Sequence, residues 1–197
     1  MKLLFITPPM GNWAPWGNRH LACNSLYSQV AAFVREKKSA DVEVLDCRAL
    51  GFNDSEMLEE VRKMRPDAVF FGSVIPAAGG AAQLNRFHAA MKRIKEIAPQ
   101  TITVGGGLMY TAMPREIMQE NPQLDFVIVG VFGDNEYTLW ELLEELKNPA
   151  PKLSEIKGLA YRKGGEIVLN PRRGVIANLD ELPMPAYDLF PMDRYYG

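Results

Sequence analysis

The sequence has few of the residues that build metal clusters and disulfide frameworks. Its 197 residues include only two cysteines, Cys23 and Cys47, and two histidines. Two cysteines exclude a disulfide framework and a site of three or four cysteine ligands within this chain. We expect both cysteines to be buried thiols in a reducing compartment.

An excess of positive charge and a long apolar run are also missing. The net charge is −2, and the basic residues are scattered among acids, so we expect no nucleic-acid partner. The apolar start "MKLLFIT" stops at Pro8-Pro9, and the uncharged stretch 68–82 is too short to span a bilayer. We therefore expect a cytoplasmic protein that does not bind membranes.

Five apolar runs alternate with helical patterns along most of the chain. Runs that are apolar without alternation are typical of strands buried on both faces. This pattern predicts an α/β fold with a five-stranded, doubly wound parallel sheet, flavodoxin-like (Rossmann-like), in the strand order 2-1-3-4-5. The predicted strands are 3–7, 42–46, 68–73, 101–106 and 125–130, and the predicted helices are 22–38, 54–64, 80–97, 114–120 and 135–146.

The C-terminal part of the sequence has a different character. Residues 158–170 contain two short strand-like runs around Lys163-Gly164-Gly165, which predicts a β-hairpin. The following tail contains four prolines and three tyrosines without a helical period, which predicts an extended connector. We therefore divide the chain into an α/β domain, 1–150, and a hairpin with a connector, 151–197.

The loop after the first predicted strand lacks the usual nucleotide motifs. Residues 7–18 contain neither G-x-G-x-x-G nor a run of serine and threonine. The strand ends at Thr7 and Ser73 also lack the acids of a response-regulator receiver. Pro8 and Trp13, in a loop rich in proline and tryptophan, are typical either of a lid over a large apolar ligand or of a loop that folds over its own core.

The next three strand ends carry short motifs. The second strand ends in Asp46-x-Arg48-x-x-Gly51, which a surface turn alone could explain. The third ends in Ser73-x-Ile75, where a hydroxyl could face a ligand or where small residues could serve strand–helix packing. The fourth strand ends in three glycines, Gly105, Gly106 and Gly107, which allow a ligand or backbone to approach closely.

In this order, the motifs resemble those of the cobalamin-binding fold, D-x-H-x-x-G, S-x-L and G-G. The resemblance implies that the nucleotide tail of cobalamin inserts between sheet and helix, with its base displaced from cobalt. Ser73 and Ile75 would then line the tail pocket, and the three glycines its slot. Asp46, Arg48 and Gly51 would lie beneath the corrin.

Arg48 stands where that family has its cobalt-binding histidine. A guanidinium remains protonated and has no lone pair to give to cobalt. The resemblance therefore implies base-off cobalamin without histidine ligation and no protein ligand to the metal. The alternative is that Arg48 forms a surface ion pair with Asp46 or Asp54.

A second resemblance covers nearly the whole chain, on residues 66–110, 125–146, 155–173 and 178–196. These segments are similar to the N-terminal region of cobalamin-dependent radical S-adenosylmethionine enzymes, both anaerobic magnesium-protoporphyrin monomethyl ester cyclase-like proteins and radical methyltransferases. Gly130 and Gly133 lie in the fifth loop, where that family often has G-E-G-E.

The catalytic part of that family is missing from the sequence. Its C-x-x-x-C-x-x-C motif cannot be formed with two cysteines. We therefore expect S-adenosylmethionine and a 4Fe-4S cluster only in a longer chain, whose catalytic barrel would be this domain's partner, and no turnover from this chain alone. The alternative is a free-standing interaction or scaffolding domain that binds no cofactor.

Overall fold

The computed structural model of the chain describes residues 1–9, 22–73, 80–130, 134–174, 176 and 178–195, with the backbone alone at 73, 80 and 81. One sheet runs through it in the order β2-β1-β3-β4-β5-β6-β7. The strands are β1 Lys2–Thr7, β2 Asp41–Asp46, β3 Ala68–Ser73, β4 Ile102–Gly107, β5 Phe126–Ile128, β6 Leu159–Lys163 and β7 Glu166–Leu169.

The five parallel strands and their order 2-1-3-4-5 confirm the prediction of a flavodoxin-like fold. The predicted hairpin is also present, and it extends the sheet. Its first strand, β6, pairs antiparallel with β5, and β7 pairs antiparallel with β6. The sheet is therefore mixed and has seven strands, while the domain boundary at residue 150 stays a prediction.

Seven α-helices connect the described strands: α1 Ser25–Glu36, α2 Cys47–Leu50, α3 Asp54–Met64, α4 Gly80–Ile97, α5 Leu108–Ala112, α6 Pro114–Glu120 and α7 Asp134–Glu145. All five predicted helices are confirmed, whereas α2 and α5 were not predicted. The N-cap of α3 is Asn53, which forms a reciprocal capping box with Glu56. No helix in the described part of the chain is long and apolar enough to cross a membrane.

The core has two parts, one on each face of the sheet. Successive side chains of a strand point to opposite faces. Leu3 and Phe5 therefore pack in one cluster with residues of α1 and α7, and Leu4 and Ile6 pack in the other with residues of α3, α4 and α6. The carboxyl ends of the parallel strands remain as the edge at which loops from both faces meet.

The tail packs against the α1 face of the sheet. Its described part forms three 3-10 turns, Leu179–Glu181, Tyr187–Leu189 and Met192–Arg194. Backbone Ala186 N–H donates to Ser28 O (2.9 Å), and Gln29 Nε2 donates to Pro183 O (3.0 Å). Residues 183–195 are called the C-terminal strap below, because they run along α1 and return to the end of β2.

Candidate functional site

Strands β1 and β3 separate towards their carboxyl ends. The β1–β3 pairing covers only Leu3 to Phe5 of β1, although both strands continue further. Beyond that point the Tyr27 hydroxyl lies between them, donating to Ile6 O (2.8 Å) and accepting from Gly72 N–H (3.0 Å). This gap between β1 and β3, called the crevice below, lies where the strand order reverses, the usual ligand position in such sheets.

The D-x-R-x-x-G motif forms one capped helical turn, α2, at the end of β2. Asp46 is its N-cap, and Oδ1 accepts a hydrogen bond from Ala49 N–H (3.0 Å). Gly51 ends the turn with φ +70°, a left-handed conformation that glycine adopts without strain. Two residues of the motif therefore have a clear folding role.

Arg48 is the member of the motif that this cap does not need. Its side chain is half-buried, and among the described residues it forms no ion pair. Asp54 pairs instead with Arg93 (2.9 Å), and the Asp46 carboxylate binds an amide and a hydroxyl. The alternative of an ion pair between Arg48 and Asp46 or Asp54 is therefore wrong in this structure.

The second oxygen of Asp46 binds the strap. The Tyr195 hydroxyl donates to Asp46 Oδ2 (2.6 Å), although the two residues are 149 positions apart. Burial, followed by the hydrogen bond to Asp46, raises the pKa of the Tyr195 hydroxyl, while the charge of Arg48 opposes this shift. The strap thus reaches the motif at the edge of the crevice.

The two cysteines differ in environment. Cys47, in α2, is buried, and this burial raises the pKa of its thiol to about 12. Cys23 is only partly buried, and desolvation raises the pKa of its thiol. The prediction of a buried thiol is confirmed for Cys47 and wrong for Cys23, which lies in the segment that leads into α1.

The glycines at the end of β4 are in close contact with the chain's own side chains. A Cβ on Gly105 would lie 2.5 Å from the Tyr110 ring, and one on Gly106 would lie 2.5 Å from Phe70 and 2.7 Å from Asn135 Oδ1. Gly107 has φ +86°, and its N–H donates to Asn135 Oδ1 (3.1 Å). These glycines allow close approach, as predicted, but the groups that approach here belong to the protein.

The fifth strand end is closed by the start of α7. The Thr111 hydroxyl donates to Gly130 O (2.7 Å), and a Cβ on Gly130 would collide with Asp134 Cβ. Nearby, Glu136 is buried, and its Oε2 has no hydrogen-bond partner among the described residues. Burial raises the pKa of this carboxyl to about 7.

The described residues bring several of the predicted site residues to one edge. Asp46 pairs in register with Thr7, whose buried hydroxyl has no hydrogen-bond partner in the described part of the chain, and buried Pro8 follows directly. Ser73 pairs in register with Gly107. Predictions for Trp13, Ile75 and Gly133 lie outside the described residues.

Sequence reasoning missed two tyrosines that shape this edge. Tyr27 reads as one apolar position of an amphipathic helix, so nothing in the sequence shows that its hydroxyl separates two strands. Tyr195 stands in an aromatic, proline-rich tail, and no motif there marks it. An extended segment with prolines has no period from which a docking position could be predicted.

Comparison with protein-family models gives a match over most of the sheet. The model of the B12 binding domain matches residues 27–142, from α1 to α7. This range includes the capped turn at Asp46, the ends of β3 and β4, and the start of α7. It therefore covers the strand ends that surround the crevice, apart from β1.

Two relatives extend the likeness over nearly the whole chain. An uncharacterized methyltransferase, PH0819, of Pyrococcus horikoshii is 34% identical over 99% of this chain and 40% of its own length. An anaerobic magnesium-protoporphyrin IX monomethyl ester cyclase of Cereibacter sphaeroides is 25% identical over 92% of this chain and 28% of its own. The chain thus spans less than half the length of either relative.

A solved structure has the same fold. The cobalamin-dependent S-adenosylmethionine radical enzyme OxsB, with aqua-cobalamin and S-adenosylmethionine bound, superposes with a TM-score of 0.72 at 20% identity. The match covers 95% of this chain and 24% of OxsB. At this identity the likeness shows the fold.

Proposed function

The chain belongs to the B12-binding domain family, and from this premise we propose that it binds cobalamin base-off, without a histidine ligand, at the carboxyl ends of its parallel strands. The observation that carries the proposal is the capped turn at the end of β2. It carries Arg48 at the carboxyl end of β2, at the motif position of the family's cobalt ligand, without an ion pair to any described residue.

The residues present fit a corrinoid on this edge of the sheet. Asp46, Arg48 and Gly51 would lie beneath the corrin, and the buried Thr7 hydroxyl has no partner among the described residues, so it is free to bind a polar group of the ligand. Pro8 and Trp13 would contribute from the first loop.

The nucleotide tail would lie at the ends of β3 and β4. Ser73 and Ile75 would line its pocket, with Gly105, Gly106 and Gly107 as its slot and Gly130 and Gly133 nearby.

Side chains of the protein lie in this proposed slot. Because Tyr110 and Asn135 lie against Gly105 and Gly106, entry of the nucleotide tail would require these two side chains to move. Ser73 and Gly107 pair in register, which supports a pocket that both strands share.

Arg48 would act on cobalt through its charge. It cannot coordinate the metal, because its guanidinium has no lone pair. A fixed cation near cobalt disfavours the more positive, oxidised states of the metal. Bound cobalamin would supply a cobalt centre for methyl or radical chemistry, and the chain's own residues would hold it and exclude a nitrogen ligand.

The chemistry of the whole protein is also a proposal. The two relatives are much longer than this chain. We infer that this domain acts with a radical S-adenosylmethionine catalytic domain, which would bring S-adenosylmethionine and a 4Fe-4S cluster, in methyl transfer or cyclase-type chemistry. The domain alone would then bind cofactor without turnover.

Electron paramagnetic resonance of the reduced cobalt tests whether a nitrogen ligand binds the metal from beneath the corrin. The chain is mixed with hydroxocobalamin, desalted and reduced to the cobalt(II) state. We expect retained cobalamin whose cobalt lines lack nitrogen splitting, because neither the base nor a histidine binds the metal. The Arg48→His variant should show nitrogen splitting, whereas the exposed control Arg172→His should not.

Two results would contradict the proposal. Elution of the wild-type chain without corrin absorbance would favour the alternative of an interaction domain that binds no cofactor. Nitrogen splitting in the wild-type spectrum would leave cobalamin binding intact and would show that the lower face carries a base or histidine.

A further inference from the structure

The Asp46 carboxylate is buried and uses both of its oxygens. It is 3% exposed, and its two hydrogen bonds come from Ala49 N–H within α2 and from the Tyr195 hydroxyl in the strap. A buried carboxylate without such partners is strongly destabilised. The position of the turn that carries Arg48 therefore depends on two contacts, one local and one from 149 residues away.

The strap places Tyr195 through several independent contacts. Phe190 is 6% exposed within the core cluster of α1, and Arg35 holds Asp188 through two hydrogen bonds (2.6 and 3.0 Å). The backbone contact of Ala186 with Ser28 fixes the start of the same segment. The Tyr195 hydroxyl thus comes from a segment that is built into the fold.

We propose that Tyr195 is a positioning residue of the cobalamin site: through Asp46 it fixes the turn that carries Arg48, and it couples docking of the strap to occupation of the crevice. This inference rests on the proposed function. It adds a tail residue and a linkage that the strand-end motifs do not contain. By linkage, if the docked strap favours cobalamin binding, bound cobalamin favours the docked strap by the same factor.

The first test is the affinity for hydroxocobalamin of the Tyr195→Phe variant. This variant keeps the ring but loses the hydrogen bond to a buried charged group, so we expect Kd to rise by about tenfold. The control is Tyr187→Phe in the same strap, where the side chain is 45% exposed and Kd should not change. Asp46→Asn keeps an oxygen for the Ala49 cap but gives Tyr195 an amide in place of the charged acceptor, so it should also raise Kd, and the double variant should add little.

The second test measures the strap itself. Trypsin cleavage after Arg194 is followed by mass spectrometry with and without hydroxocobalamin. We expect cobalamin to slow this cleavage by about tenfold in the wild-type chain and much less in Tyr195→Phe, since the two effects are one linkage. A purely structural role of Tyr195 would change the cleavage rate without this dependence on cobalamin.

The outcomes separate this inference from the proposed function. Equal Kd values for wild type and Tyr195→Phe, or equal protection of both by cobalamin, would overturn the role of Tyr195 and leave cobalamin binding standing. A wild-type chain that binds no cobalamin would overturn both, even if cleavage after Arg194 is faster in Tyr195→Phe without ligand.

Discussion

Within the D-x-R-x-x-G turn, folding requirements explain two residues and leave the third. Asp46 caps the turn, and Gly51 ends it in a left-handed conformation. Both roles could be predicted from turn chemistry alone. Arg48 satisfies no cap and forms no ion pair among the described residues, so neither contact explains its identity.

Glu136 should make stability fall as the pH rises. Burial raises the pKa of its carboxyl from 4.5 to about 7 in the folded chain. Between these values the unfolded chain releases the proton and the folded chain keeps it, so folding stability declines with increasing pH. We expect wild type to lose about 3 kcal/mol more than Glu136→Gln between about pH 4.5 and 7.5.

Urea unfolding at the two pH values measures this difference. The contributions of the other titrating groups to the unfolding free energy cancel between the two proteins. Glu144→Gln serves as the control, because Glu144 is partly exposed and its pKa is lowered by Lys147. A pH dependence that is the same in wild type and Glu136→Gln would show that the Glu136 carboxyl is ionised in the folded chain.

At the β4 glycines, sequence predicted close approach but not the group that approaches. The Tyr110 ring lies on Gly105 because α5 follows β4 directly, and α5 has only five residues and no period to detect. Asn135 reaches Gly106 from a helix that starts after β5. Three consecutive glycines therefore indicate that another group packs closely against the backbone here. Which group does so depends on the tertiary structure.

Helices with capping residues and a helical spacing of apolar residues were predicted to within a few residues. Helices α3, α4 and α6 have the predicted bounds, since apolar spacing and turn residues mark them. The single-turn helix α2 was not predicted, because four residues show no period. The hairpin was predicted, but its pairing with β5 was not, because sequence does not show which sheet edge is open.

The strap should contribute to stability as a core element does. Phe190 is 6% exposed and packs with residues of α1, so Phe190→Ala should reduce the free energy of unfolding by about 3 kcal/mol. Met184→Ala, at an 85% exposed position of the same strap, should change it by less than about 0.5 kcal/mol. Urea unfolding measures both, and equal small effects would mean that the strap detaches without cost to the fold.

For the whole molecule, chain topology was the most predictable feature. Parallel strands need right-handed crossovers, so alternation of strands and helices restricts the order of the five parallel strands to few arrangements. Docking of the strap was beyond prediction, because it depends on surface shape along α1 and on one hydroxyl that reaches Asp46. The strand ends of the candidate site could thus be predicted, whereas the contact that the C-terminal strap makes with Asp46 could not.

Cobalamin should stabilise the whole chain against heat. A ligand present at about 100 times its Kd adds about 2.7 kcal/mol, which raises Tm by about 5–10 °C for a chain of this size. Cobinamide, which lacks the nucleotide, is the matched control at the same concentration as cobalamin, and its shift should be smaller if the nucleotide tail binds at the ends of β3 and β4. Thermal melts followed by circular dichroism compare the two, and equal shifts would argue against the tail pocket.

The Tyr27 hydroxyl has a consequence for the kinetics of association. It bonds Ile6 O and Gly72 N–H, so the gap between β1 and β3 is held open by a core side chain and not by a ligand. A corrinoid that meets this edge does not have to wait for two paired strands to separate. If the nucleotide tail enters at the β4 glycines, as proposed, a slow phase in its uptake would report the movement of Tyr110 and Asn135.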